Sequence, residues 1–128
     1  MTYTPLVISE LALVGVAHAG VPNEERIVIR PTQMLQLSTF GVAAGLFDPH
    51  TGGARPLFDS MFWFPEVVVG PPSWILVYTG LGTPKSVNLA NGETVVTLFW
   101  QRKVTVFNDP AVVPVLMKVG AAIVGGRL

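Results

Sequence analysis

The sequence predicts an all-β sandwich of about seven to nine short antiparallel strands, and three observations carry that expectation. Eleven prolines and thirteen glycines cut the 128 residues into short runs, too short for a stable helix. The runs between them are rich in Val, Ile, Thr, Phe and Trp, the residues that pack best on a pleated surface. Several runs alternate apolar and polar side chains with period two, as a half-buried strand requires.

The first run is Leu6 to Leu13, followed by a loop at Gly20-Val21-Pro22-Asn23-Glu24-Glu25. Arg26-Ile27-Val28-Ile29-Arg30 then sets Ile27 and Ile29 on one side and both arginines on the other. Pro31-Thr32-Gln33 interrupts, and Leu35 to Phe40 alternates again. Residues Leu46 to Asp59 contain Asp48-Pro49-His50-Thr51-Gly52-Gly53, a loop composition that predicts a mobile excursion between strands.

Phe62-Trp63-Phe64-Pro65 leads to Val67-Val68-Val69, the turn Gly70-Pro71-Pro72-Ser73 and the strand Trp74 to Tyr78. Asn91-Gly92 predicts a two-residue type I′ turn joining Val87-Asn88-Leu89 to Thr94 through Trp100. Gln101-Arg102-Lys103 reads as a turn into a strand at Val104 to Phe107. An apolar extension at about 108–128 supplies one or two more strands. The length fits a single domain, 1–128.

In this order the pieces resemble the lamin-tail domain, an immunoglobulin-like β-sandwich. Ile8-Ser9-Glu10 is similar to that family's opening strand, and Asn23 to Arg30 to its second. Leu35-Gln36-Leu37-Ser38-Thr39-Phe40 looks like its Leu-x-Leu-Ser-Gly-Trp corner, with Thr39 in place of the glycine. Phe64 to Tyr78 is similar to its Phe-Pro, Pro-Gly and apolar-strand segment, with Ser73 in place of the turn glycine. Leu89 to Leu98 resembles its Leu-x-Asn-x-Gly-Asp-x-Val-x-Leu hairpin. Gln101-Arg102-Lys103 stands where the family often has Asp-x-x-Gly, and the residues after Asp109 fall outside the pattern. The resemblance implies a binding module for proteins, and sometimes for nucleic acid, but assigns no partner.

Composition narrows the function further. Charged residues make up 12% of the chain, against about 25% in ordinary soluble domains. So few charges leave part of the apolar surface for other subunits to cover. Eight basic and eight acidic residues cancel, which removes any general attraction to nucleic acid or anionic membrane. The absence of cysteine excludes disulfides, thiol nucleophiles and Cys-ligated zinc.

Leu6 to Ala19 ends in a small-x-small imitation, Ala17-His18-Ala19, yet it lacks a basic leader and carries Glu10, so it is not expected to be a signal peptide. Val112 to Val124 is interrupted by Pro114, Lys118 and Gly120 and falls short of the roughly 20 residues of a spanning helix.

No catalytic constellation emerges, and neither a cofactor nor a metal is expected. Glu24 and Glu25 are neighbours on an extended chain, point to opposite sides and read as a solvated loop. His18 and His50 each lack a nearby nucleophile or carboxylate motif, and Asp48, His50 and Asp59 have no regular ligand spacing. Gly80-Leu81-Gly82-Thr83-Pro84-Lys85 is followed by a strand rather than the helix a phosphate loop needs.

The sequence therefore predicts a non-catalytic structural or interaction subunit of a homo-oligomer or larger assembly. Trp63 and Trp100 are candidate anchors, because alternation forces some of the clustered aromatics out of the core, and Val115, Met117 and Val119 join them on the apolar extension. The competing reading is a nucleic-acid or chromatin-type module using Arg102 and Lys103, whose two charges predict only weak binding.

Overall fold

The computed structural model describes residues 8–128, apart from the side chain of Phe58. Along the chain the strands are β1 (Leu11–Ala17), β2 (Arg26–Pro31), β3 (Leu35–Gln36), β4 (Phe40–Asp48), β5 (Gly53–Trp63), β6 (Val68–Val69), β7 (Ser73–Tyr78), β8 (Lys85–Asn88), β9 (Thr94–Phe99) and β10 (Val112–Lys118). They form a five-stranded sheet β1-β2-β7-β9-β8, a three-stranded sheet β10-β4-β5 and a two-stranded ribbon β3-β6. The fold is all-β, and its pairs are antiparallel except for β7 beside β9.

Burial explains that parallel pair. β9 carries buried Val96, Thr97 and Leu98, whereas every residue of β8 is exposed. The apolar strand takes the inner position against β7, and β8 folds back outside it as the edge. Because β8 and β9 are joined by a hairpin, inserting β9 next to β7 makes it run parallel to that strand.

The core lies between the two larger sheets. Ile27 and Ile29 of β2, Ile75 and Val77 of β7, and Val96 and Leu98 of β9 meet Phe40, Val42 and Ala44 of β4, with Leu37, Phe64, Trp100 and Phe107 filling the ends. Full burial of each such side chain contributes roughly 1.5–3 kcal/mol before conformational entropy is subtracted. The alternation read in Arg26 to Arg30 and Trp74 to Tyr78 is the alternation observed, with Ile27, Ile29 and Pro31 of β2 and Ser73, Ile75 and Val77 of β7 buried and the residues between them half-buried.

Several boundaries differ from expectation. Leu6 and Val7 of the expected first strand lie outside the described residues, and β1 instead runs on to Ala17. It does so through a bulge in which Val14 is the extra residue and Gly15 has φ of 148°. The strand expected at Leu35–Phe40 is split by a 3₁₀ turn at Leu37–Thr39, which carries the chain from the β3-β6 ribbon into the three-stranded sheet.

The excursion expected at 46–59 is a β4-β5 hairpin whose turn occupies only 49–52. Asp48 accounts for this, since its carbonyl accepts from the Gly52 amide at 2.9 Å and its carboxylate from the His50 amide at 2.9 Å. The Asn91-Gly92 hairpin also has a different turn. The Gly92 amide donates to the Leu89 carbonyl at 3.1 Å, and Gly92 alone, with φ of 88°, is left-handed. The loop is thus three residues ending in a left-handed glycine, not a two-residue type I′ turn.

Candidate protein interface

On β4, alternation sends Phe40, Val42 and Ala44 into the core and turns Gly41, Ala43, Gly45 and Phe47 to the opposite face. Register adds the neighbours on that outer face. β10 places Met117 beside Gly41, Val115 beside Ala43 and Val113 beside Gly45. β5 places Trp63 beside Gly41, Met61 beside Ala43 and Ala54 beside Phe47. Facing residues of an antiparallel pair share a side, so these side chains, none of them charged, lie on one face.

The small residues of β4 let its neighbours close over it. A Cβ on Gly41 would sit 2.5 Å from Cε3 of the Trp63 indole, so the ring lies against the glycine backbone. A Cβ on Gly45 would sit 2.8 Å from a Val115 methyl. Ala43 is buried although it is not a member of the core cluster. The surface that results is low in relief and apolar, with Trp63 46% and Phe47 47% exposed.

The edges of the two larger sheets carry features that discourage further pairing. β10 has Pro114 in its middle; β5 has Pro56, and its register with β4 breaks between Pro56 and Met61. β1 has its bulge at Val14, and β8 begins with Lys85. Proline, bulges and lysine are the devices that stop strand-to-strand aggregation, so the open surface here is a face and not an edge.

The outer face of the five-stranded sheet has a different chemistry. Arg30 lies 3.8 Å from the Trp74 ring centre and pairs with Glu93 at 3.1 Å, while the Trp74 Nε1–H donates to the same carboxylate at 2.9 Å. Arg26 lies over Tyr78, Tyr78 stacks on Phe99 at 5.5 Å, and Gly82 lies close against the Phe99 ring. That face is covered by its own cation–aromatic contacts and carries charge.

The structure brings Trp63, Val115 and Met117 to one surface, with Val119, 40% exposed, just beyond the end of β10. Trp100 does not join them. It is 6% exposed and packs at 6.3 Å from Phe62 in the core, because Phe99, its neighbour on the chain, takes the outward position. Sequence reading did not single out Gly41, Ala43, Gly45, Phe47 and Met61, although the spacing Gly-x-Ala-x-Gly was the signal for a strand face with no side-chain bulk of its own.

Arg102 and Lys103 line a shallow cavity of about 350 Å³ with Asn23, Thr79, Thr105 and Asn108. The Arg102 guanidinium already donates to the Asp59 carbonyl at 3.3 Å, and Lys103 is exposed. Gln101 to Lys103 does not turn into a strand. The Val106 and Phe107 amides that a strand would pair are instead bound at 2.7 and 3.0 Å by the carboxylate of Glu25.

Glu25, expected in a solvated loop, is 1% exposed. Besides those two amides, its carboxylate accepts from the Gly20 amide at 2.7 Å and the Thr79 hydroxyl at 2.8 Å. Burial pushes its pKa up, but the bonds from Val106, Gly20, Thr79 and Phe107 outweigh burial and hold the carboxyl below its ordinary range. Glu25 thus ties three loops together. Its four acceptor positions are filled within the fold, so it stands as an architectural group with no capacity left for a substrate.

His18 and His50 are exposed at separate turns, and no three His, Asp or Glu side chains gather as a metal site among the described residues. No helix among them is long and apolar enough to cross a membrane. No protein-family model, curated protein or solved structure matches the chain.

Proposed function

We propose that the chain is a non-catalytic structural subunit that packs against copies of itself through the outer face of the β10-β4-β5 sheet. The observation that carries this reading is the set of uncharged side chains Val113, Val115, Met117, Phe47, Met61 and Trp63 on one face of a sheet with proline in both edge strands. A net charge of zero adds no repulsion between copies. The lamin-tail resemblance agrees with a binding role. A nucleic-acid function draws little support, since Arg102 and Lys103 are only two charges, and the Arg102 guanidinium is already engaged by the Asp59 carbonyl.

Light scattering after size exclusion, with circular dichroism on the same fractions, tests the reading. The wild-type chain is expected as an oligomer, and the double variant Val115→Asp, Met117→Asp as a folded monomer. Unfolding of the variant would move these residues into the domain's own core. An oligomer of unchanged size, or a monomeric wild-type chain at about 100 µM, a concentration at which even weak specific contacts associate, would refute the proposal.

A further inference from the structure

We infer that residues 119–128 of one copy lie across this same outer face on a second copy, an inference that rests on the assembly reading above. Three strands spaced about 4.8 Å apart and seven residues long give a footprint of roughly 330 Å². Even an about twofold allowance for side-chain relief leaves the face short of the roughly 800 Å² per partner of a stable interface. Face-to-face packing therefore needs a second contribution.

Residues 119–128 supply one. They leave the end of β10 with only Arg127 charged, and their apolar side chains are open, Ile123 at 99% and Val124 at 93% exposure. Their own copy holds Val119, whose amide donates to the Thr39 carbonyl at 2.9 Å, but residues 120–128 are all exposed, and Gly120, Gly125 and Gly126 have no atom within 4 Å of an added Cβ. Extended, ten residues reach about 33 Å, enough to run along all nine residues of β4 on a neighbour. Proline in both edge strands of this sheet favours the face over the edges as the surface such an arm meets, and its apolar composition matches the face it would cover.

The chain has no cysteine, so single introduced cysteines report unambiguously on contacts between copies. Ile123→Cys is mixed with mass-tagged Phe47→Cys, and separately with mass-tagged Met61→Cys, under mild oxidation. Mixed disulfide dimers in excess of both symmetric ones are expected with at least one of the two. In parallel, Ile123→Asp with Val124→Asp is expected to raise the concentration of half-dissociation by about 100-fold, since two exposed aliphatic side chains would lose their burial.

The arm inference is overturned if the mixed dimers are absent while a single chain carrying both cysteines closes internally, which places the segment on its own face. It is overturned also if the aspartates leave dissociation unchanged while Val115→Asp, Met117→Asp still dissociates the particle; the assembly reading then stands without it. A wild-type monomer would remove both.

Discussion

Replacing Glu25 by Gln tests the account of the buried carboxylate with the loss of little more than a charge. Oε1 accepts from Thr79 and Val106, and Oε2 from Gly20 and Phe107. A glutamine presents one oxygen and one NH₂. Turning the NH₂ toward Gly20 and Phe107 would set it against two amide donors. The better arrangement turns it toward Thr79, whose hydroxyl can rotate and accept, and leaves only the Val106 amide without a partner. One orphaned buried donor costs about 1–3 kcal/mol, and the surviving bonds lose their charge assistance. The expected destabilisation is thus about 2–4 kcal/mol, a large part of the roughly 5–15 kcal/mol that holds a domain together.

The sign with pH follows from the lowered pKa. In the unfolded chain Glu25 returns to its ordinary value of 4.5, so below that pH the unfolded state binds the proton more readily than the folded one. The carboxylate's contribution is complete above about pH 5 and is lost as the pH falls through the folded value. Urea titrations of the wild type and Glu25→Gln at pH 7 and at stepped lower pH would measure both effects. The variant should have the lower midpoint at pH 7 and a flatter decline in acid. Equal midpoints at pH 7, or the same acid decline in both proteins, would refute the assignment.

Two further outcomes are expected. Gly92→Val places a β-branched residue at a φ of 88°, and thermal unfolding should show a loss of roughly 1–3 kcal/mol; an unchanged melting temperature would remove the left-handed turn from the account of the hairpin. Single-stranded DNA and RNA should bind weakly at physiological salt, and Arg102→Ala with Lys103→Ala should change little in a fluorescence anisotropy titration, because two charges neutralise few phosphates; submicromolar binding lost in the double variant would restore the nucleic-acid reading.

What the sequence made legible was local. β2, β7 and β9 could be read because Ile27 and Ile29, Ile75 and Val77, and Val96 and Leu98 repeat with period two, and nothing in the tertiary structure overrides that pattern. The misread segments depended on partners far along the chain. Val104 to Phe107 has strand composition, but its amides answer to a carboxylate about 80 residues earlier. Glu25 itself looks like any loop glutamate until Gly20, Thr79 and Phe107 surround it. The turn at 49–52 was misjudged for another reason, because Asp48 and Thr51 shorten it through side-chain bonds that composition alone describes only as loop. For the interface, alternation places part of each set of clustered aromatics outside the core but does not say which part.

The core decides that choice. Phe62 meets Trp100 at 6.3 Å and Phe64 at 5.8 Å, and Phe64 is buried. Trp100 is in turn held by its amide on the Tyr78 carbonyl, and Arg102 by its amide on the Thr79 carbonyl, next to the hydroxyl that binds Glu25. With Phe62 and Phe64 fixed inward, the pleat of β5 obliges Trp63 to face out, and the missing Cβ of Gly41 gives its indole a flat seat. In the assembly proposed above, the indole is thus already seated against Gly41 in the free chain. A side chain already fixed in its binding position loses little rotamer entropy on association, which is the condition under which an exposed tryptophan acts as an anchor. The same argument explains why the outward aromatic on β9 does not compete with it, since Phe99 is already engaged by the Tyr78 ring and the Gly82 backbone.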